Sequence, residues 1–172
     1  MELTWHVAQD PLTVHRLVEE SDRAAALRSG TPAPRRRPES TRALVERRLV
    51  HFGMRDGVPV VTVTVGPTPS FDTREAGLPE AAHPWYMQRL ALATGSPDPL
   101  LGVRAVRHAT TLATTAGSDA LRAEANPDIP DVLGMLATLG FIRHGTVTAG
   151  ALRRTFLQLA LRPSPSASRT SP

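Results

Sequence analysis

Apolar and polar positions along this chain switch between two spacings. In residues 58–65, Val61, Val63 and Val65 alternate with Thr62 and Thr64, the pattern of a half-buried strand. Residues 49–55 form a second such run, and Asp56-Gly57 between the two is the sequence of a tight two-residue hairpin. Further on the spacing turns helical: Ala105, Ala109, Leu112 and Ala116 predict one buried stripe on a helix that starts near Leu100. Arg104, Arg107, His108, Thr111 and Thr115 fall on the opposite face, and Gly117 closes the helix with the backbone freedom a left-handed cap needs.

The same reading extends to both ends. Residues 2–8 predict an opening strand, and Asp10-Pro11 a helix start with a side-chain cap followed by proline. That helix has Val14, Leu17, Val18, Ala25 and Leu27 near one face and ends at Ser29-Gly30. Residues 31–38 hold three prolines and Arg35, Arg36 and Arg37, a solvated loop or an arginine-lined rim. A second helix is expected over 39–47. Residues 66–84 hold no periodicity, and so long a segment is either functional or disordered. Residues 85–93 read as a strand, 94–99 as a turn-rich loop, 120–125 as a short strand and 130–139 as a helix ending at Gly140-Phe141. Two closing strands are expected over 141–148 and 154–162, and the serine- and proline-rich residues 163–172 read as a disordered tail. Strand, loop, helix, strand, helix from Trp85 to Phe141 is a crossover unit that sets two parallel strands side by side. Residues 1–162 are expected to form one mixed α/β domain.

Composition removes several kinds of chemistry. The 172 residues include no cysteine and no lysine, which excludes disulfides, thiolate ligands, a cysteine nucleophile and a lysine Schiff base. No histidine and carboxylate spacing suggests a metal site. The absence of an apolar run of spanning length and of a signal-like start leads to the expectation of a cytoplasmic protein off the membrane. Aromatic residues make up 4%, too few for the stacking surfaces of single-strand nucleic-acid binders, despite the net charge of +4.

The central stretch resembles the GNAT superfamily of N-acyltransferases. RLAL (89–92) looks like the family's fourth strand, and LLGVRAVRHATTLATTAG (100–117) like its donor loop and third helix. LRAEANP (121–127) resembles the fifth strand and the asparagine after it, and MLATLGF (135–141) the fourth helix. The resemblance implies a central mixed sheet of six or seven strands, about four helices, and parallel fourth and fifth strands splayed apart. It also implies transfer of an acyl group from a pantetheine thioester to the amine of a small molecule. Departures accompany it. In the family's donor loop the first position, usually glutamine or arginine, is Pro99 here; the middle glycine is Gly102, and the last small position is Arg104. Leu136 stands where a tyrosine acid is common, and Gln88 where a glutamate is.

From this resemblance come the candidate site residues. Backbone groups of Leu90, Ala91 and Leu92 would hold the pantetheine arm and polarise the thioester. Amides of Leu101, Gly102, Val103 and Arg104 would meet the donor's phosphates at a helix N-terminus. Asn126 would lie beside the arm. No residue is assigned as catalytic; His83 and His144 are the histidines placed to approach the cleft, and Glu124 is read as solvent-facing or paired with an arginine. The donor is acyl-CoA, or an acyl phosphopantetheine on an acidic carrier protein that Arg104, Arg107 and Arg122 would receive. The alternative is a non-catalytic GNAT-like binding or scaffolding domain. Acceptor identity and oligomeric state are not written in these patterns.

Overall fold

The computed structural model describes residues 2–69, 72–74, 76–149 and 152–161. Its elements in chain order are β1 (Thr4–Val7), α1 (Pro11–Ser29), α2 (Pro38–Glu46), β2 (Val50–Arg55), β3 (Val58–Gly66), β4 (Pro84–Leu92), α3 (Leu101–Thr115), β5 (Ala120–Ala125), α4 (Pro130–Thr138), β6 (Ile142–Ala149) and β7 (Leu152–Ala160). The strands form one seven-stranded sheet in the order β1-β2-β3-β4-β5-β7-β6. Only β4 and β5 run parallel; every other neighbouring pair is antiparallel.

Local chemistry explains most boundaries. Asp10 caps α1 by accepting the amide of Leu12, and Gly30 ends it at φ 66°. Asp56 and Gly57 both take positive φ, 51° and 77°, the turn that matches the twist of a two-residue hairpin. Helices cover both faces. Val61, Val63, Val65, Met87, Leu121, Ala123 and Leu157 of the sheet pack with α3 and α4 through Leu101, Ala105, Ala109 and Leu136. On the other face Val50, Phe52 and Ala91 pack with Val14, Leu17 and Val18 of α1 and Val45 of α2.

Four expectations change. Leu27 is 80% exposed and lies off the buried face of α1. Ala116 is exposed too; the buried stripe of α3 runs through Leu101, Ala105, Val106, Ala109 and Ala113, because the helix axis turns that face to β3 and β4. His108 is half-buried, not on an open face. Arg122 is buried, with donors to Gln158 Oε1 at 2.8 Å, Tyr86 Oη at 3.2 Å and Pro79 O at 2.7 Å. It therefore cannot receive a carrier protein. Instead it ties the segment between β3 and β4 to the sheet. Asp119 helps by accepting the amides of Ala82 and His83. The serine- and proline-rich tail, residues 163–172, lies outside the described residues.

Candidate functional site

Parallel pairing of β4 with β5 runs from Pro84–Ala120 to Met87–Ala123 and stops there. β5 continues against β7 through Glu124 and Ala125, while β4 continues against β3 as far as Leu92. A gap opens between them, as the family resemblance implied. The device that turns β4 is a bulge: Gln88 pairs with Thr64 and Ala91 with Thr62, so Arg89 and Leu90 oppose the single residue Val63. Arg89 takes φ 49°, a conformation that costs a non-glycine residue roughly 1–3 kcal/mol. Two hydroxyls of α2 hold it there, Thr41 Oγ1 accepting from Nη1 at 2.9 Å and Ser40 Oγ from Nη2 at 2.6 Å.

Backbone alternation sorts the edge of β4. Ala93 donates to Val60 O at 2.8 Å, so Ala91 also turns its amide to β3 and Leu92 turns its own to the gap. There Ser21 Oγ of α1 accepts the Leu92 amide at 3.2 Å. Leu90 lies in the bulge with its side chain on the α3 and α4 core. Of the three edge candidates, Leu92 thus presents a backbone donor to the gap and Ala91 does not.

The face of the gap toward α1 and α2 is polar. Since Met87, Ala123 and Leu157 point to α3 and α4, their neighbours Gln88, Glu124 and Phe156 point the other way, as does Arg154 two positions before Phe156. Glu124 stands one residue past the last β4–β5 pair, opposite Gln88. Its Oε1 is 3.7 Å from Arg154 Nε. Burial raises the Glu124 carboxyl above its ordinary range, with Arg154 and then Arg36 opposing. Arg36 is bound to Asp22 at 2.7 Å and 3.3 Å. Burial, and then the like charge of Arg36, lowers the basicity of Arg89, with Asp22 opposing. Gln88 donates through Nε2 to Thr68 O at 3.1 Å, while its buried Oε1 has no donor among the described residues.

At the far end of the gap, the loop into α3 carries a resident anion. Asp98 Oδ1 accepts the Leu100 amide at 2.9 Å and Oδ2 accepts Arg55 Nη2 at 2.5 Å, with Arg104 Nε at 3.7 Å. Those bonds, the Leu100 amide first and then Arg55, hold the Asp98 carboxyl below its ordinary range. Beside it lies a pocket of about 260 Å³ lined by Ser21, Ala24, Arg28, Leu92, Pro99 and Leu101. Leu101 is fully buried, Val103 half-buried and Arg104 exposed. Gly102 is where α3 meets α4: a Cβ there would lie 2.9 Å from Met135 Sδ. Asn126 spends its side-chain carbonyl on the amide of Asp128 at 2.9 Å, a local turn into α4.

The two histidines singled out from sequence are not brought together. His83 precedes β4 at the end where the strands are still paired. His144 lies on edge strand β6, with β7 between it and β5. A different pair meets instead. His108 stacks on Trp5 with centroids 4.1 Å apart and planes 4° apart, and its Nε2 is 3.2 Å from His51 Nδ1. Burial, and then His51, pushes His108 down to about 4. Glu124 was the residue underread. Its pairing with an arginine, one of the two expectations, is met by Arg154; it lies within the strand expected over 120–125, and nothing in the sequence marks that the pairing of β5 with β4 ends just before it. Among the described residues no group of three or more histidines and carboxylates could hold a metal ion, and no helix is long and apolar enough to cross a membrane.

Comparison with solved structures supports the fold. An acetyltransferase of the GNAT family from Streptococcus agalactiae superposes with TM-score 0.74 at 16% identity, covering 93% of this chain and 96% of that one. YncA from Salmonella typhimurium, a putative acetyltransferase solved with acetyl-CoA, gives 0.66 at 18%, covering 97% and 99%. A chain of the NatC complex bound to Gag peptide and CoA gives 0.71 at 14%, covering 94% and 100%. The chain therefore has the GNAT N-acetyltransferase fold from end to end of its described part. No family model matches the sequence, and no curated protein matches it.

Proposed function

We propose that the protein is a GNAT-type N-acyltransferase, moving an acyl group from a pantetheine thioester to an amine, with Glu124 as the base. The observation that carries this reading is the parting of β4 and β5 at Met87–Ala123 with a half-buried carboxylate at the mouth, held above its ordinary range by that burial. In the reaction the amine nitrogen forms a bond to the thioester carbonyl carbon and the carbon–sulfur bond breaks. The amine's proton goes to Glu124, the departing thiolate takes a proton from water, and the hydroxide left behind recovers the proton from Glu124. A carboxylate whose pKa is raised toward neutrality is a better base than an exposed one.

The donor's two ends fare differently. An extended arm suits the gap: Leu92 has its amide turned there, and the Ser21 hydroxyl that now accepts it can yield to a pantetheine carbonyl. A diphosphate suits the loop poorly. Pro99 has no N–H to offer, and Asp98 already holds the Leu100 amide and Arg55 as an anion would. Acyl-CoA remains the donor suggested by neighbours such as YncA. Asp98 is the specific observation that favours a second reading, in which the arm arrives on a carrier protein and exposed Arg104 and Arg107 meet its acidic surface.

Calorimetric titration with acetyl-CoA, acetyl-pantetheine and a phosphopantetheinylated carrier protein tests the proposal, followed by thiol release in the presence of an amine panel. Binding of at least one thioester and amine-dependent thiol release are expected. Binding without thiol release from any amine would make this a non-catalytic module, and no binding at all would remove the donor assignment.

A further inference from the structure

We propose that the acceptor is a compact amine that also carries an anionic group, with Arg89 receiving the anion while Glu124 takes the amine. The inference rests on the N-acyltransferase reading and names its substrate class.

Arg89 is an expensive residue to keep. It sits at positive φ in the bulge that opens the gap, and its guanidinium is half-buried. A residue whose only task was to strap α2 to the sheet through Ser40 and Thr41 would not need a charge. Its partners are neutral hydroxyls, and among the described residues no carboxylate lies within ion-pair distance of it. Asp22 is the carboxylate whose charge reaches it, and Asp22 is already bound by Arg36. Glu19 connects to the Arg89 guanidinium only through His15, whose Nε2 lies 3.3 Å from Glu19 Oε1 and whose Nδ1 lies 3.1 Å from Thr41 Oγ1. Two of the five N–H groups of the Arg89 guanidinium are used. A planar, half-desolvated fork with free donors fits a carboxylate or phosphate.

The amine side is next to it. Gln88, the residue before Arg89, stands opposite Glu124 one step past the last β4–β5 pair. Because Gln88 and Arg89 are adjacent in the chain and Gln88 stands opposite Glu124, an amine at Glu124 and an anion at Arg89 can belong to one small molecule.

The test uses the full chain and measures acceptor binding directly by calorimetry, in parallel with thiol release from acetyl-pantetheine. The probes are glycine and β-alanine for carboxylate, phosphoethanolamine for phosphate, and glycinamide and ethanolamine as neutral counterparts. Wild type should bind at least one anionic amine about 10- to 100-fold more tightly than its neutral counterpart, the range of one charge-assisted contact. The carboxylate and phosphate arms then identify which anion is meant. Arg89→Met should lose that preference in KM with little change in kcat, and Arg89→Lys should keep part of it. Equal or better binding of the neutral amines by wild type overturns the inference, as does a preference that survives in a folded Arg89→Met variant. If Arg89→Met does not fold, the wild-type preference decides alone. Failure of thiol release with every probe would count against acyl transfer, while the binding preference would still report on Arg89.

Discussion

Met135 Sδ stands 2.9 Å from the point where Gly102 would carry a Cβ. Gly102 therefore serves packing of α3 against α4 as well as any approach of a donor to the helix start. Gly102→Ala sets a gain of up to about 1 kcal/mol in helix propensity against about 1–3 kcal/mol of overpacking. Methionine is flexible and gives way in part. The expected outcome is a net loss of about 1 kcal/mol in denaturant unfolding. Met135→Ala in the same chain should recover part of it, a coupling that a double-mutant cycle reads. Gly102→Leu should lose stability together with donor binding. Additive effects of the two single changes would show that the contact carries no energy.

A second expectation concerns pH. His108 falls from 6.5 to about 4 in the folded chain through burial against Trp5 and then through His51, which is itself lowered by burial. In the unfolded chain both histidines take up protons near their ordinary value. The unfolded state thus binds more protons as pH drops, and stability is lost from about pH 6.5 down to about pH 4. One pKa unit corresponds to about 1.4 kcal/mol, and half-exposure reduces the total to about 1–2 kcal/mol. His108→Phe keeps the ring stack and removes the titration. Melting temperatures across this pH range should decline less steeply in His108→Phe than in wild type; parallel curves would contradict it.

How much of this was legible beforehand depends on how local the cause is. Asp10-Pro11, Ser29-Gly30 and Asp56-Gly57 each act through their own neighbours, and each boundary fell within a residue or two of its expected place. The order of elements from Trp85 to Phe141 gave the parallel pair and its crossover for the same reason. Leu27 misled because it sits well round the helix from Val14, Leu17 and Val18, and Ala116 because helical spacing defines a stripe without saying where along the helix the neighbouring strands end. Arg122 was misread because its partners Gln158 and Pro79 are remote, and neither the partner of Glu124, Arg154, nor that of Asp98, Arg55, is marked in the sequence for the same reason. No spacing rule reports contacts of that range.

Glu124 gives the catalytic prediction. With its carboxyl raised by burial, kcat/KM should increase with pH through an apparent pKa above 4.5 as the base ionises. Glu124→Gln keeps the shape and removes the proton acceptor. Turnover should fall by about 10²–10⁴-fold and the acid limb of the pH profile should disappear. Thioester binding, measured separately, should be unchanged. A Glu124→Gln variant with the wild-type pH profile would remove Glu124 from the base role and leave water relay as the route for the proton.

The last prediction separates the donors, and it turns on Asp98. The carboxylate holds the Leu100 amide at 2.9 Å and Arg55 at 2.5 Å, with Arg104 at 3.7 Å. A donor with a diphosphate must bring further negative charge against it, whereas a simple pantetheine thioester need not reach it. Asp98→Asn keeps the turn-forming side chain, removes the charge and leaves Arg55 and Arg104 free to meet phosphate. The ratio of CoA affinity to pantetheine affinity should therefore rise about 10-fold or more, since one charged contact is gained where a repulsion was removed. Stability should fall, because Arg55, whose side chain is 17% exposed, loses its counter-ion. Arg107→Glu lies outside this cluster on the exposed face of α3, so it serves as the complementary probe. If a carrier protein is the donor, Arg107→Glu should weaken transfer from the carrier while leaving transfer from acetyl-pantetheine as in wild type. If CoA is the donor, Asp98 is a neutral bystander: wild type should bind acetyl-CoA tightly, and Asp98→Asn should leave the CoA-to-pantetheine ratio where it was.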